Sequence, residues 1–259
     1  MTANTTNLSY QSGRDITVRD AFANNGVLPD TKDTNYRAIN NDYPVFGFAI
    51  DLGSVGAQNK SALWTINLNQ ENAIQFEGYA NRTLPSLWTS YFDTALHANT
   101  YFYNDYSSAF SLATTFDNKV VTDSVAAGGS NYSIITQLSV RQAFGALQLV
   151  NTPETPYLFL KEISSDGNVQ TVDVIFPFHP IAMYTNPDLI KLMLEPLFIN
   201  QEAGNWPYAF SIHDLGTRKF PIIALLDRPR KANTPQTTPM LQVTMMATTR
   251  CSHLRNAVI

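Results

Sequence analysis

One cysteine in 259 residues excludes a disulfide framework within the chain, and that cysteine, Cys251, stands close to the C-terminal end. Charged residues are scarce, at 15%, and the formal net charge is −4. No basic stripe is available to neutralise a phosphate backbone or an anionic surface, so nucleic acid is not an expected partner. No apolar run approaches the length of a membrane span, and Met1 is followed by TANTTNLS rather than a basic-then-apolar leader. Metal-ligand spacings, a phosphate-cradling glycine loop and a G-x-S-x-G nucleophile elbow are also missing. The sequence therefore implies no metal and no cofactor.

Much else is present. Hydrophobic residues make up 44% of the chain, enough for the core of one large domain or two modest ones. N-x-[ST] sequons stand at Asn4, Asn7, Asn59, Asn81 and Asn131, a dense set for this length. With low charge and no cysteine before the tail, they point to an extracellular protein whose leader has been lost upstream.

Residues up to Pro85 read as β structure. YPVFGFAIDLGSV (Tyr43–Val55) is apolar and β-prone, SALWTINLNQ (Ser61–Gln70) alternates over part of its length, and NAIQFEGYANRTLP (Asn72–Pro85) reads as one more strand. From Trp88 the period changes: Trp88, Tyr91, Phe92, Leu96 and Tyr103 recur at helical steps. A turn at AAGGS precedes a second helix over Asn131–Val150. Two strands follow, Pro156–Ile163 and Val169–Phe178, joined by SSDGN with Asp166-Gly167 as the hairpin signal. A third helix begins at NPDLIKLMLEPLF, with Asn186 as its cap and Pro187 as its first residue. No internal repeat is visible.

The blocks NYSIITQLSVRQAFGALQL, FLKEISSDGNVQTVDVIFPFHPIAMYTNPDLIKLMLEPLF and YAFSIHDLG, in that order, resemble the fungal secreted glutaminase A family. GRDITVRDAF (Gly13–Phe22) and YPVFGFAIDLG (Tyr43–Gly53) resemble that family's β domain. The resemblance implies an α+β chain: an antiparallel β-sandwich portion over residues 1–85, then part of an (α/α) six-hairpin-like toroid over residues 86–217. It also implies hydrolysis of L-glutamine to L-glutamate and ammonia. Glutamine as substrate rests on the resemblance alone. The same scaffold serves glycoside hydrolases, in which two carboxylates act as acid and base, so a sugar is the alternative small-molecule substrate. Oligomeric state is left open.

Residues 218–259 fit neither part. In the family, HDLG is followed by a segment of the form YPNATGH-DG-DE-MP-EECGN. Reading the tail with the last base of each codon joined to the first two of the next, Met245-Met246 compels Asp and Met246-Ala247 compels Gly. From Thr237-Thr238 onward the remaining shifted codons permit the whole family segment, ending in EECGN. The tail is therefore expected to be a frameshifted, disordered stretch, from intron read-through or equally from a sequencing or assembly error, and the chain an inactive fragment or the product of a decayed gene.

Several residues are candidates for chemistry. Glu162 and Asp173 are read as catalytic carboxylates near one hairpin, with Lys161 and Asp166 as substrate contacts. Strand alternation turns Lys161 and Glu162 to opposite faces. Asp173, inside an otherwise apolar strand, calls for a partner or a role. His213 beside Asp214 suits proton transfer or substrate binding, and Asp214 is placed with the catalytic residues. Against these stand plain structural readings: turn chemistry for Asp166-Gly167, and a cap with a satisfied histidine for Asp214 and His213. Arg141, amid apolar helix residues, is a candidate substrate contact and is expected to be buried against a carboxylate.

Overall fold

The computed structural model describes residues 7–57, 59–162 and 167–216. Asp166 and the tail from residue 217 on, including the 218–259 segment, lie outside the described residues. The chain divides into two compact units that meet in sequence between Asn67 and Leu68.

The N-terminal unit pairs β1 (Leu8–Arg14) with β2 (Pro44–Ile50) in an antiparallel ladder, from Leu8 opposite Ile50 to Arg14 opposite Pro44. Helix α1 (Asp15–Asn25) leaves β1 directly. Asp15 in its first turn complements the helix dipole, and Gly26 ends it in the left-handed conformation, donating its N–H to the Phe22 carbonyl at 2.8 Å. One face of α1 presents Val18, Ala21 and Phe22 to Leu28, Val45 and Ala49. Gly47 lets this happen: a Cβ there would lie 3.2 Å from Val18 and 3.3 Å from Leu28. The Arg37 side chain, only 8% exposed, donates to Asp33 at 2.6 Å and to the carbonyls of Asn35 and Asn41.

Among the described residues, the second unit is built on two hairpins and four helices. β3 (Asn72–Glu77) pairs with β4 (Asn81–Pro85), and β5 (Leu147–Thr152) with β6 (Thr155–Leu160). A 3-10 turn at Leu87–Ser90 leads to α2 (Ala95–Asn104) and α3 (Tyr106–Gly145); α4 (Val172–Thr185) and α5 (Asp188–Glu202) follow the second hairpin. β6 is buried on both faces, and its period of two separates two cores. Tyr157 and Phe159 pack with Ile74, Phe76 and Leu84 of the first hairpin. Leu158 and Leu160 pack with Ile175 and Phe178 of α4 and Met193 and Leu197 of α5. Each fully buried side chain of this size contributes about 1.5–3 kcal/mol.

Helix α3 is a helical hairpin. Gly129 sits at φ 81°, ψ −176°, and breaks the helix in two. Ser124 and Thr136 Oγ atoms lie 2.7 Å apart, although twelve residues of straight helix would hold them roughly 18 Å apart. This is the turn expected at AAGGS.

The α+β order of antiparallel strands followed by helical hairpins holds, but individual elements differ from expectation. Within the stretch read as β, residues 15–25 form α1. Asn72–Pro85 folds back as two strands around Gly78, where a Cβ would meet Phe76 at 2.9 Å. Ser61–Gln70 contributes no named strand. The helix ends at Gly145, and Leu147–Val150 belongs to β5. Val169–Phe178 is not the partner of β6: β6 pairs with β5, and Val172 onward is α4. Ile175, Phe178 and Ala182, at steps of three and four, are its buried stripe. Asn186 accepts the Asp188 N–H at 3.1 Å, and α5 begins one residue later than expected, with Pro187 rather than Asn186 at the cap position.

Candidate functional site

Residues 168–172 form a short ribbon between the end of β6 and the HDLG segment. On one side Glu162 N–H donates to Asn168 at 2.9 Å and Gln170 N–H to Leu160 at 3.0 Å. On the other, Val169 N–H donates to Gly216 (3.1 Å), Leu215 N–H to Val169 (2.9 Å) and Val172 N–H to His213 (2.8 Å). Three main-chain bonds therefore fasten HDLG at the entrance to α4, whose first turn carries Asp173.

That register brings three of the expected residues together. His213 Nδ1 and Asp214 Oδ2 are 2.8 Å apart; a carboxylate accepts only, so Nδ1 carries the donated proton. Asp214 Oδ1 accepts the Gly216 N–H at 2.7 Å. Both oxygens of Asp214 are thus engaged, and its side chain is 13% exposed. The other imidazole nitrogen, Nε2, lies 3.8 Å from Asp173 Oδ1, within ion-pair range and beyond a hydrogen bond. His213 and Asp173 are 65% and 72% exposed. The result is an imidazole oriented by one shielded carboxylate, with its Nε2 on the side of a second carboxylate. Such a group can take a proton from water and pass it on.

The other candidates fall elsewhere. Glu162 is buried at the start of the ribbon. Lys161 lines a cavity of about 460 Å³ with Trp88, Tyr91, Phe92 and Gln148, and burial pushes its ammonium pKa below the ordinary lysine value. Asp173 is not inside a strand; it is exposed in the first turn of α4, where its charge suits the helix dipole. Arg141 is exposed on α3 with no ion pair among the described residues, contrary to its expected burial, because this face of the helix is itself uncovered: Leu138 and Phe144, one turn away on either side, are exposed too.

The sequence reading passed over a set of buried amides. Gln170, fully buried at φ 57°, has its Oε1 accept the Leu160 N–H at 2.6 Å. Asn200 and Asn205 donate to the Glu77 carbonyl at 2.6 and 3.2 Å, tying α5 to the β3–β4 turn. Nothing in local sequence marks an Asn or Gln whose partners are remote main-chain groups. The one available signal is a polar residue inside an apolar run, as with Asn200 in PLFINQ.

Comparison with known proteins agrees with this architecture. The family described as "Glutaminase A six helical-hairpin domain" matches residues 129–254, and "Domain of unknown function (DUF5127)" matches residues 1–123. The two matches flank the Gly129 break in α3. The chain is 52% identical over 212 residues to "Glutaminase A" of Aspergillus oryzae, covering 81% of this chain and 31% of the relative. It is 36% identical over 216 residues to a "Probable glutaminase" of Arthroderma benhamiae, covering 80% and 25% respectively. The chain thus spans less than a third of the length of either relative. No solved structure matches.

Fold and site define a mixed α+β protein whose second half matches a six-hairpin helical domain. The chain belongs to the glutaminase A family.

Proposed function

We propose that the chain carries the proton-handling group of an extracellular hydrolase acting on the side-chain amide of L-glutamine. The observation that supports this reading is the His213 imidazole held by Asp214 at 2.8 Å and facing Asp173 at 3.8 Å. Amide hydrolysis consumes one water and yields glutamate and ammonia. His213 Nε2 takes a proton from the attacking water as the C–O bond forms, and returns it to the departing nitrogen as the C–N bond breaks. Asp214 keeps the proton on Nδ1 and so leaves Nε2 basic; Asp173 stabilises the transient imidazolium. An extracellular setting agrees with the exposed sequon asparagines Asn7, Asn59, Asn81 and Asn131.

Turnover by this chain alone is expected to be negligible. Solvent reaches an imidazole that is 65% exposed and screens the charges on which the step depends. Binding therefore carries the test. Titration with L-glutamine should move the His213 imidazole resonances in the NMR spectrum, and His213→Asn should abolish any ammonia release that is seen. Unmoved resonances at tens of millimolar L-glutamine would remove the reading.

A second reading, carbohydrate hydrolysis, is favoured by one observation. Trp206, Tyr208 and Phe210 cluster just before HDLG with ring centroids 5.0–5.7 Å apart, and Tyr208 and Phe210 are exposed. Such a surface suits stacking against a sugar ring. Fluorescence quenching of Trp206 by oligosaccharides, with no His213 response to glutamine, would favour it.

A further inference from the structure

The cavity beside Lys161 is separate from the His213 group and has its own chemistry. Trp88, Tyr91 and Phe92 wall it, and Leu147 and Leu149 of β5 add apolar surface. Its volume of about 460 Å³ lies within the range of roughly 300–1,000 Å³ common for small-molecule sites. Lys161 supplies its one cationic side chain, and neither Asp nor Glu lines it.

Lys161 is held in place from its main chain. Its N–H donates to Ala146 at 3.0 Å, and an antiparallel bridge to Val169 fixes its other edge. Its ammonium has no ion pair among the described residues. The polar neighbours do not supply one: Gln148 Nε2 donates to Ser86 Oγ at 3.1 Å and approaches Gln70 Oε1 at 3.4 Å. A half-buried ammonium with no counter-charge among the described residues is costly, and an anion delivered to it recovers that cost. The surrounding aromatic wall rewards an anion that brings apolar surface with it.

We propose that this cavity binds a small monocarboxylate with an aromatic or branched apolar body, its carboxylate on Lys161 Nζ and its body against Trp88 and Phe92. The proposal does not rest on the glutaminase reading, because glutamine brings no apolar body and the His213 group lies outside the cavity lining.

The test uses 3-phenylpropionate as probe, with 3-phenylpropan-1-ol, acetate and L-glutamine as comparisons, measured by calorimetry at pH 7. The acid should bind at least about tenfold more tightly than either the alcohol or acetate, the difference expected of a charge-assisted contact or of a buried ring. In parallel, acetic anhydride labelling followed by peptide mass spectrometry should show Lys161 protected by 3-phenylpropionate and not by the alcohol. Lys161→Met should lose the preference for acid over alcohol, and Trp88→Ala the preference for 3-phenylpropionate over acetate. Equal affinity for acid and alcohol, equal affinity for acetate, or undiminished labelling of Lys161 would each overturn the proposal. Should Lys161→Met fail to fold, the labelling of the unaltered chain decides the matter. A His213 response to L-glutamine without cavity protection would leave the glutaminase reading intact while this one fails.

Discussion

The side-chain amide of Gln170 donates to the main-chain carbonyl of Met193, joining the ribbon after β6 to the middle of α5. The same side chain accepts the Leu160 N–H at 2.6 Å and donates to the Leu158 carbonyl at 3.1 Å. A single buried amide thereby completes the free edge of β6 and fastens a helix across it. Its backbone is held at φ 57°, a conformation a non-glycine residue adopts at some cost. The bonds offset that cost.

Replacing Gln170 by alanine removes the partner of two buried β6 main-chain groups, the Leu160 N–H and the Leu158 carbonyl, and the tie to the Met193 carbonyl of α5. The expected loss is about 2–4 kcal/mol of unfolding free energy, measured by urea denaturation. Gln170→Gly relieves the backbone and should still fall well below the parent protein. A loss under about 0.5 kcal/mol in either variant would show that water replaces the amide without penalty.

Gly129 is required for a different reason. Its φ and ψ lie in a region essentially restricted to glycine, and the return of α3 on itself depends on them. Gly129→Ala should cost about 1–3 kcal/mol, seen as a lower thermal midpoint by circular dichroism. The Ser124–Thr136 contact across the hairpin should loosen with it, so that Thr136→Val, damaging in the parent, becomes nearly neutral in the Gly129→Ala background.

Lys161 makes stability depend on alkaline pH. Burial lowers its folded-state pKa below the unfolded value, so between those two values the unfolded chain binds more protons than the folded one. Stability therefore rises with pH across the window just below about 10.4, the ordinary lysine value, and below the window the full desolvation penalty is present. Lys161→Met removes the penalty. The variant should be more stable than the parent at pH 7, and the difference should shrink toward pH 10.5, as read from denaturation midpoints. A constant difference across that range would place the lysine in water.

The Asp33–Arg37 pair gives the N-terminal unit an opposite, acid-side dependence. The Arg37 guanidinium donating to Asp33 holds that carboxyl below its ordinary range. Its contribution is present above the ordinary aspartate value and is lost as pH falls through the folded one. Asp33→Asn should flatten the acid limb of the stability profile, and Arg37→Met should lower stability at pH 7 by about 1–3 kcal/mol through the loss of its hydrogen bonds.

Asp214→Ala removes the acceptor of both the His213 Nδ1 proton and the Gly216 N–H. Amide exchange at Val169 and Leu215, which are bonded across the HDLG segment, should speed up by about an order of magnitude, and the His213 response to L-glutamine should disappear. Asp173→Asn, at an exposed position, should leave amide exchange unchanged and weaken only the response to glutamine.

Local chemistry sufficed for the elements whose cause is local. The apolar run of β2 and the glycine turn inside α3 are each specified by a few adjacent residues, and each is found where the sequence places it. The HDLG pairing of His213 with Asp214 is legible for the same reason, since neighbours in the chain can reach each other without help from the fold. What the sequence could not decide was choice among partners. Asp166-Gly167 promised β6 a hairpin with the next apolar run, but β5 takes one edge of β6 and the Gln170 amide closes the other. With no edge left to join, VDVIFPF turns its apolar residues to a helical stripe, and Asp173 passes from strand interior to helix N-terminus opposite His213. Hydrogen-bonding edges and core faces are finite and shared, so their allocation is a property of the whole chain; only the tertiary structure carries it.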